Sequence, residues 1–227
     1  MQRYNSFTMI HKALRTMLYD AALTLQQTYF ADENEAETAL GKVEAVLYLF
    51  EQHAHHEDSQ VLPAIELYEP QLVEDFEKEH VTDINLGSRL STLLNIFRDA
   101  VADEDRIYCG SAISKAFVEF MVFNLEHMAK EEIYINQALW KHYTDEQIIM
   151  LSQKLVASIP PAEKALSAKW MFRGTNNVEV INWLKSVKQS APAFVFESML
   201  SIAENELPEN RWEKVQTAVM EAELAAY

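Results

Sequence analysis

"HAHHEDSQVLPAI" (residues 53–65) returns in altered form as "HMAKEEIYINQAL" (residues 127–139). The two align at an offset of 74 residues. His53 meets His127, Glu57 meets Glu131, and Ala64–Ile65 meets Ala138–Leu139. In an α-helix, residues i and i+4 project from nearly the same side, about 40° apart. Each copy is therefore a two-donor claw on one helix face. Each claw follows an earlier histidine at a similar distance: His11 for the first and His80 for the second, 69 residues apart. The chain thus reads as two halves. Each half is a helix bearing His, then a helix bearing His-x-x-x-Glu.

The pattern around these residues is helical throughout. Four long amphipathic segments are expected: about Asn5 to Phe30, Ala36 to Val61, Gln71 to Val101 and Ser111 to Trp140. The first keeps Met9, Ala13, Met17, Ala21 and Leu25 at i, i+4 spacing. Pro63 and Pro70 bracket the end of the second, and "ADEDRIYCGS" (102–111) reads as the turn before the fourth. Short connections make this an all-α chain, an antiparallel up-down four-helix bundle over residues 1–142. Residues 143–227 read as a C-terminal helical extension. Its shorter helices are cut at "SIPPAEK", "RGTNN", "SAP" and "ENELPEN", with Trp170, Trp183 and Trp212 as core anchors and no ionisable constellation. "TDEQ" (144–147) and "PENRWE" (208–213) read as helix starts.

Composition narrows the function classes. The 227 residues are 49% hydrophobic, enough for a sizeable core, with only 4 Gly and 6 Pro. A net charge of −16 repels phosphate backbones and anionic headgroups, so neither nucleic acid nor membrane is an expected partner. One cysteine, Cys109, permits no intrachain disulfide and no Cys-rich metal site. No signal peptide or long uncharged apolar run is seen, so a cytoplasmic protein is the expectation.

Packing the two halves together would converge four imidazoles and two carboxylates on one layer of the core. An apolar interior tolerates such groups only when they are satisfied, and metal ions do this well. Imidazole and carboxylate without thiolate suit iron or manganese, and zinc less specifically. Six side chains exceed the needs of one tetrahedral zinc. They suit two metals, with two His on each and both Glu bridging. The metal candidates are His11, His53, Glu57, His80, His127 and Glu131. Di-iron bundles of the ferritin type place carboxylate first in Glu-x-x-His, the opposite order from that seen here.

On "IHKALR" (10–15), "HAHHE" (53–57), "EKEH" (77–80) and "EHMAKE" (126–131), residues 1–140 resemble the hemerythrin-like (HHE cation-binding) domain family. They are most similar to its four-His, two-Glu branch, which includes di-iron proteins implicated in iron–sulfur cluster repair and nitric oxide stress. The resemblance implies a non-haem di-iron centre with an oxo or hydroxo bridge. His11, His53, His80 and His127 would be terminal, and Glu57 and Glu131 bridging. The oxygen carriers of the family place His-x-x-x-His on their third helix, whereas His80 is followed four residues on by Ile84. The repair proteins also carry a domain with paired cysteines, which the single Cys109 does not offer.

The expected function is to bind or react with O2, NO or peroxide, in sensing, stress defence or iron-centre protection, by a monomer or homodimer. The alternative is an iron-responsive regulatory module with the C-terminal helices as its output surface, by analogy with hemerythrin-like ubiquitin-ligase subunits. Glu132 rivals Glu131 as the bridge, but the repeat favours Glu131. Helical phase turns His55 outward and leaves His56 about 60° from His53, as a neighbour of the ligands or a fifth ligand. His142 reads as a helix-end or surface residue, and Cys109 as an incidental thiol in a turn. Tyr48, Phe50, Phe120 and Phe123 are expected in the core near the site, and Asp58, Glu66 and Glu69 in solvent.

Overall fold

The computed structural model describes residues 3–224. Among the described residues the chain is helical, with no strand. Helices α1 (Thr8–Gln27) and α2 (Glu33–His56) come first. Asn5 Oδ1 accepts from the N–H groups of Phe7 and Thr8 just ahead of α1. Asp32 caps α2 by accepting from Glu35 N–H. A single π turn, π1 (Glu57–Val61), follows α2 directly and runs into α3 (Leu62–Ile65). Helix α4 spans Pro70–Asp99 and α5 spans Asp103–Lys130. A second π turn, π2 (Glu131–Ile135), leads into α6 (Asn136–His142). Five shorter helices complete the chain: α7 (Asp145–Ser158), α8 (Pro161–Gly174), α9 (Asn177–Ser190), α10 (Ala193–Glu206) and α11 (Glu209–Leu224).

Two expected boundaries move. The second long segment, expected to run through about Val61, continues as helix past Pro63 to Ile65, inside the bracket of Pro63 and Pro70. A π turn bonds i to i+5, and Leu62 N–H reaches Glu57 O across it. The wider turn loosens the preceding backbone at the point where Pro63 offers no N–H, so the proline is accommodated. The fourth segment does not begin at Ser111, because "DEDRIYCG" is its first two turns. Asp103, Glu104 and Asp105 stabilise that N-terminus, where negative charge is favoured. Gly110 is there for space rather than for a turn. A Cβ at this position would lie 2.1 Å from Phe30 Cγ. Cys109 accordingly sits in a helix, half-buried.

The chain divides into two compact units. One holds Met17–Ser158 with the residues up to Thr8; the other holds Met9–Thr16 with the chain from Ile159 onward. In the first unit α4 packs along α5 and α2 packs against α4. Phe97, Phe117, Phe120, Leu40 and Leu90 are among its fully buried side chains. A second cluster (Leu62, Ile65, Val73, Phe76, Ile135 and Leu139 among it) closes the end at which both π turns lie. In the second unit Phe172, Val180, Leu184, Val215 and Val219 form a separate core, with Trp183 and Trp212 partly buried against it. Gly174 packs on the α1 stretch, where an added Cβ would meet Lys12 O at 2.6 Å. Among the described residues, no helix is long and apolar enough to cross a membrane.

Candidate metal centre

The two claws are built by the same local device. His53 and Glu57 end α2 and open π1, with His53 Nε2 3.3 Å from Glu57 Oε1. His127 and Glu131 end α5 and open π2, with His127 Nε2 2.8 Å from Glu131 Oε1. Asn136 N–H closes π2 on Glu131 O, as Leu62 N–H closes π1 on Glu57 O. Each π turn therefore begins at a glutamate of the repeat. Insertions of this kind recur at functional sites, because one extra residue re-aims the side chains around it.

Helix α4 brings in His80, whose Nε2 lies 3.4 Å from Glu57 Oε2 and 3.8 Å from Glu131 Oε1. Ligand atoms of Glu57, His80, His127 and Glu131 all lie within 4.8 Å of one another, and all four residues are buried. A second group with the same spread contains His11, Glu57, Glu131 and the partly exposed His53. His11 sits on α1 and is fully buried. The two groups share Glu57 and Glu131, and each of the six residues singled out from the repeat belongs to at least one of them. Glu132 is in neither group, and neither is His56, which is half-buried. His55 is exposed.

Further acids hold the far nitrogens of two of these imidazoles. Asp58 Oδ1 is 2.6 Å from His80 Nδ1. Glu79 Oε2 is 2.8 Å from His127 Nδ1, while its Oε1 accepts from Lys130 Nζ. Such partners fix the ring orientation and raise the basicity of a ligating histidine. Their signal lay in the sequence as adjacency, since Asp58 follows Glu57 and Glu79 precedes His80. A neighbouring residue turns about 100° away and so reaches sideways to the next helix.

Asp58 is thus not simply solvated, although it is half-exposed. Nor is Glu69, which meets Lys141 Nζ at 2.6 Å and His142 Nε2 at 3.2 Å; these partners lower its pKa. Tyr48 is not core, being 44% exposed, whereas Phe50 and Phe120 are buried edge to face. Phe123 stacks on His127 and Phe76 meets it edge-on.

The electrostatics follow from burying two carboxylates in this space. Burial alone would lower the pKa of His80, but Glu131, Glu57 and Asp58 outweigh it and raise the value to about 11. For His127 burial again opposes, and Glu131 and Glu79 again prevail, so its pKa is raised. Carboxylates this deep need a positive partner. Protons on the imidazoles supply one, and metal cations would supply another. Nitrogen and oxygen donors that converge within 4.8 Å in two groups fit metal ions chemically.

Fold and site together define a helical protein with a buried His/Glu cluster able to hold a metal ion. No family model, curated protein or solved structure matches this chain.

Proposed function

We infer that the chain is a hemerythrin-like four-helix bundle holding two non-haem irons. Two irons would make it a protein that binds or reacts with O2, NO or peroxide. The observation that carries this reading is the pair of four-residue donor groups sharing Glu57 and Glu131. One group offers His11 and His53, the other His80 and His127, and each shared carboxylate has two oxygens to divide between two cations. Bound iron would supply redox chemistry and open coordination positions for a small ligand. The protein's own residues do the rest. Asp58 and Glu79 orient His80 and His127. Phe76 and Phe123 wall His127, limiting access for water and larger molecules.

The test is anaerobic loading with ferrous iron, followed by metal analysis and spectra before and after O2 or NO. Two irons per chain and a new near-ultraviolet band after O2 support the reading. Fewer than two irons per chain ends it. A regulatory role draws on a different observation, the separate core of the second unit. On that reading iron occupancy orders the first unit and the C-terminal helices carry the output. It fails if apo and loaded protein melt at the same temperature.

A further inference from the structure

The repeat that makes the two donor pairs alike does not extend to the residues beside them. One turn inside the ligand layer, His11 is followed at three residues by Leu14, and His80 by Asp83. His53 is preceded at three residues by Phe50, and His127 by Asn124. On the other side, Glu57 is followed at five residues by Leu62, and Glu131 by Asn136. All six of these side chains are buried. At the matching steps one half therefore carries Leu, Phe and Leu, and the other Asp, Asn and Asn.

Buried polar groups cost stability unless they are used. Asn124 spends both amide hydrogens on the protein, donating to Asp83 Oδ1 at 2.6 Å and to Phe120 O at 3.1 Å. It therefore fixes Asp83, an acid close enough to feel the charges of His127, His80 and Glu131. Asn136 donates from Nδ2 to Glu132 O at 2.9 Å, which orients its amide. Its Oδ1 is buried and, among the described residues, no group donates to it. An acid three residues from His80 and an acceptor in need of a donor five residues from Glu131 thus belong to the same half of the repeat.

We propose that the two metal positions are unequal, and that Asp83, fixed by Asn124, and Asn136 make the one at His80 and His127 the place where a small ligand bearing an O–H or N–H is held. This rests on the two-metal reading above and deepens it. Protonated oxygen ligands such as hydrogen peroxide match the acceptor on Asn136, while NO has no hydrogen to give it. Asp83 is a positioning residue here, as is Asn136. The other half carries only apolar side chains, Leu14, Phe50 and Leu62, at the matching steps.

The experiment uses the full chain loaded with zinc, which is redox-inert, and two small probes followed by calorimetry. Hydroxylamine both donates and accepts hydrogen bonds, whereas azide only accepts. The wild type is expected to take one hydroxylamine per chain. Asn136→Leu and Asp83→Leu, which install the residues of the other half, should each weaken it about tenfold, as expected for one buried hydrogen bond. Azide has no hydrogen to give the Asn136 acceptor and should bind Asn136→Leu as tightly as the wild type. Asp83→Ala, which removes the carboxyl without adding bulk, replaces Asp83→Leu if that variant does not fold. Two equivalents of equal affinity overturn the proposal, as does no hydroxylamine binding. Unchanged affinity in both variants at unchanged zinc content also overturns it. A wild type that holds fewer than two zinc ions overturns the two-metal reading itself, and is seen before any probe is added.

Discussion

Replacing Glu131 by Gln tests the centre at its most shared point, since Glu131 belongs to both donor groups. The carboxylate is fully buried, 2.8 Å from His127 Nε2 and 3.8 Å from His80 Nε2. The pKa of His80 is raised from 6.5 to about 11 by Glu131, Glu57 and Asp58 against the pull of burial. A raised imidazole pKa contributes stability that is fully present below the unfolded value and lost as pH rises through the folded one. The apo Glu131→Gln chain should therefore lose most near pH 6. There an imidazolium must either stay buried with one carboxylate fewer beside it or give up its proton, and breaking a buried pair costs about 3–5 kcal/mol. Near pH 9 the wild-type contribution has already declined, and the cost should fall to about 1–3 kcal/mol, that of a lost buried hydrogen bond. Denaturant melts of the apo protein at the two pH values measure this difference. In the same variant metal content should fall from two ions per chain to one or none. Glu132→Gln, outside both groups, should keep two, because the Asn136 side chain bonds the Glu132 carbonyl rather than its carboxylate. Equal penalties at both pH values would refute the electrostatic argument. Full metal content in Glu131→Gln would refute the bridging one.

Three other expectations follow from single contacts. Asp58→Asn weakens the hold on His80 Nδ1 and should lower the affinity of one metal step by about 10–100-fold while sparing the other; a two-step metal titration reads this. Loading apo protein at neutral pH should release about one proton per chain from His80, whose pKa is raised to about 11. Indicator dye in weakly buffered solution measures that release. Gly110→Ala should destabilise the chain by about 1–3 kcal/mol through overpacking, because the new methyl group would collide with the Phe30 ring. A smaller change in thermal melting would mean that Phe30 moves aside freely.

Much of the site was legible because it repeats. One His-x-x-x-Glu on a helix is weak evidence, but two of them at a fixed offset, each preceded by a helical His, constrain each other. Asp58 and Glu79 were less visible because their role depends on which helix lies beside them, and sequence spacing along one helix does not reveal that. The π turns were invisible for a related reason. Hydrophobic periodicity at 3.6 residues is blind to one inserted residue, and Pro63 looked like a stop because an α-helix has no place for it. The stretch 102–111 reads as a turn in the sequence, but its Gly110 is helical and the space it leaves is filled by Phe30, a contact 80 residues away along the chain.

The π turns also bear on why the polar residues sit where they do. An i to i+5 turn places the fifth residue after the glutamate under it on the same face. In π1 that residue is Leu62, which joins the apolar cluster at this end of the unit. In π2 it is Asn136, fully buried among Ile135, Ala138 and Leu139. A leucine there would extend the apolar cluster and leave no orphaned oxygen, so stability alone gives no reason for asparagine. Asn136→Leu should accordingly fold at least as stably as the wild type when metal-free, by about 1 kcal/mol or more, since it removes a buried acceptor that no group among the described residues satisfies. A stability gain combined with loss of small-ligand binding would mark Asn136 as kept for function at a structural cost. A stability loss in apo protein would show that the amide's bond to Glu132 O is what holds π2 together, and would remove the reason for assigning it a ligand.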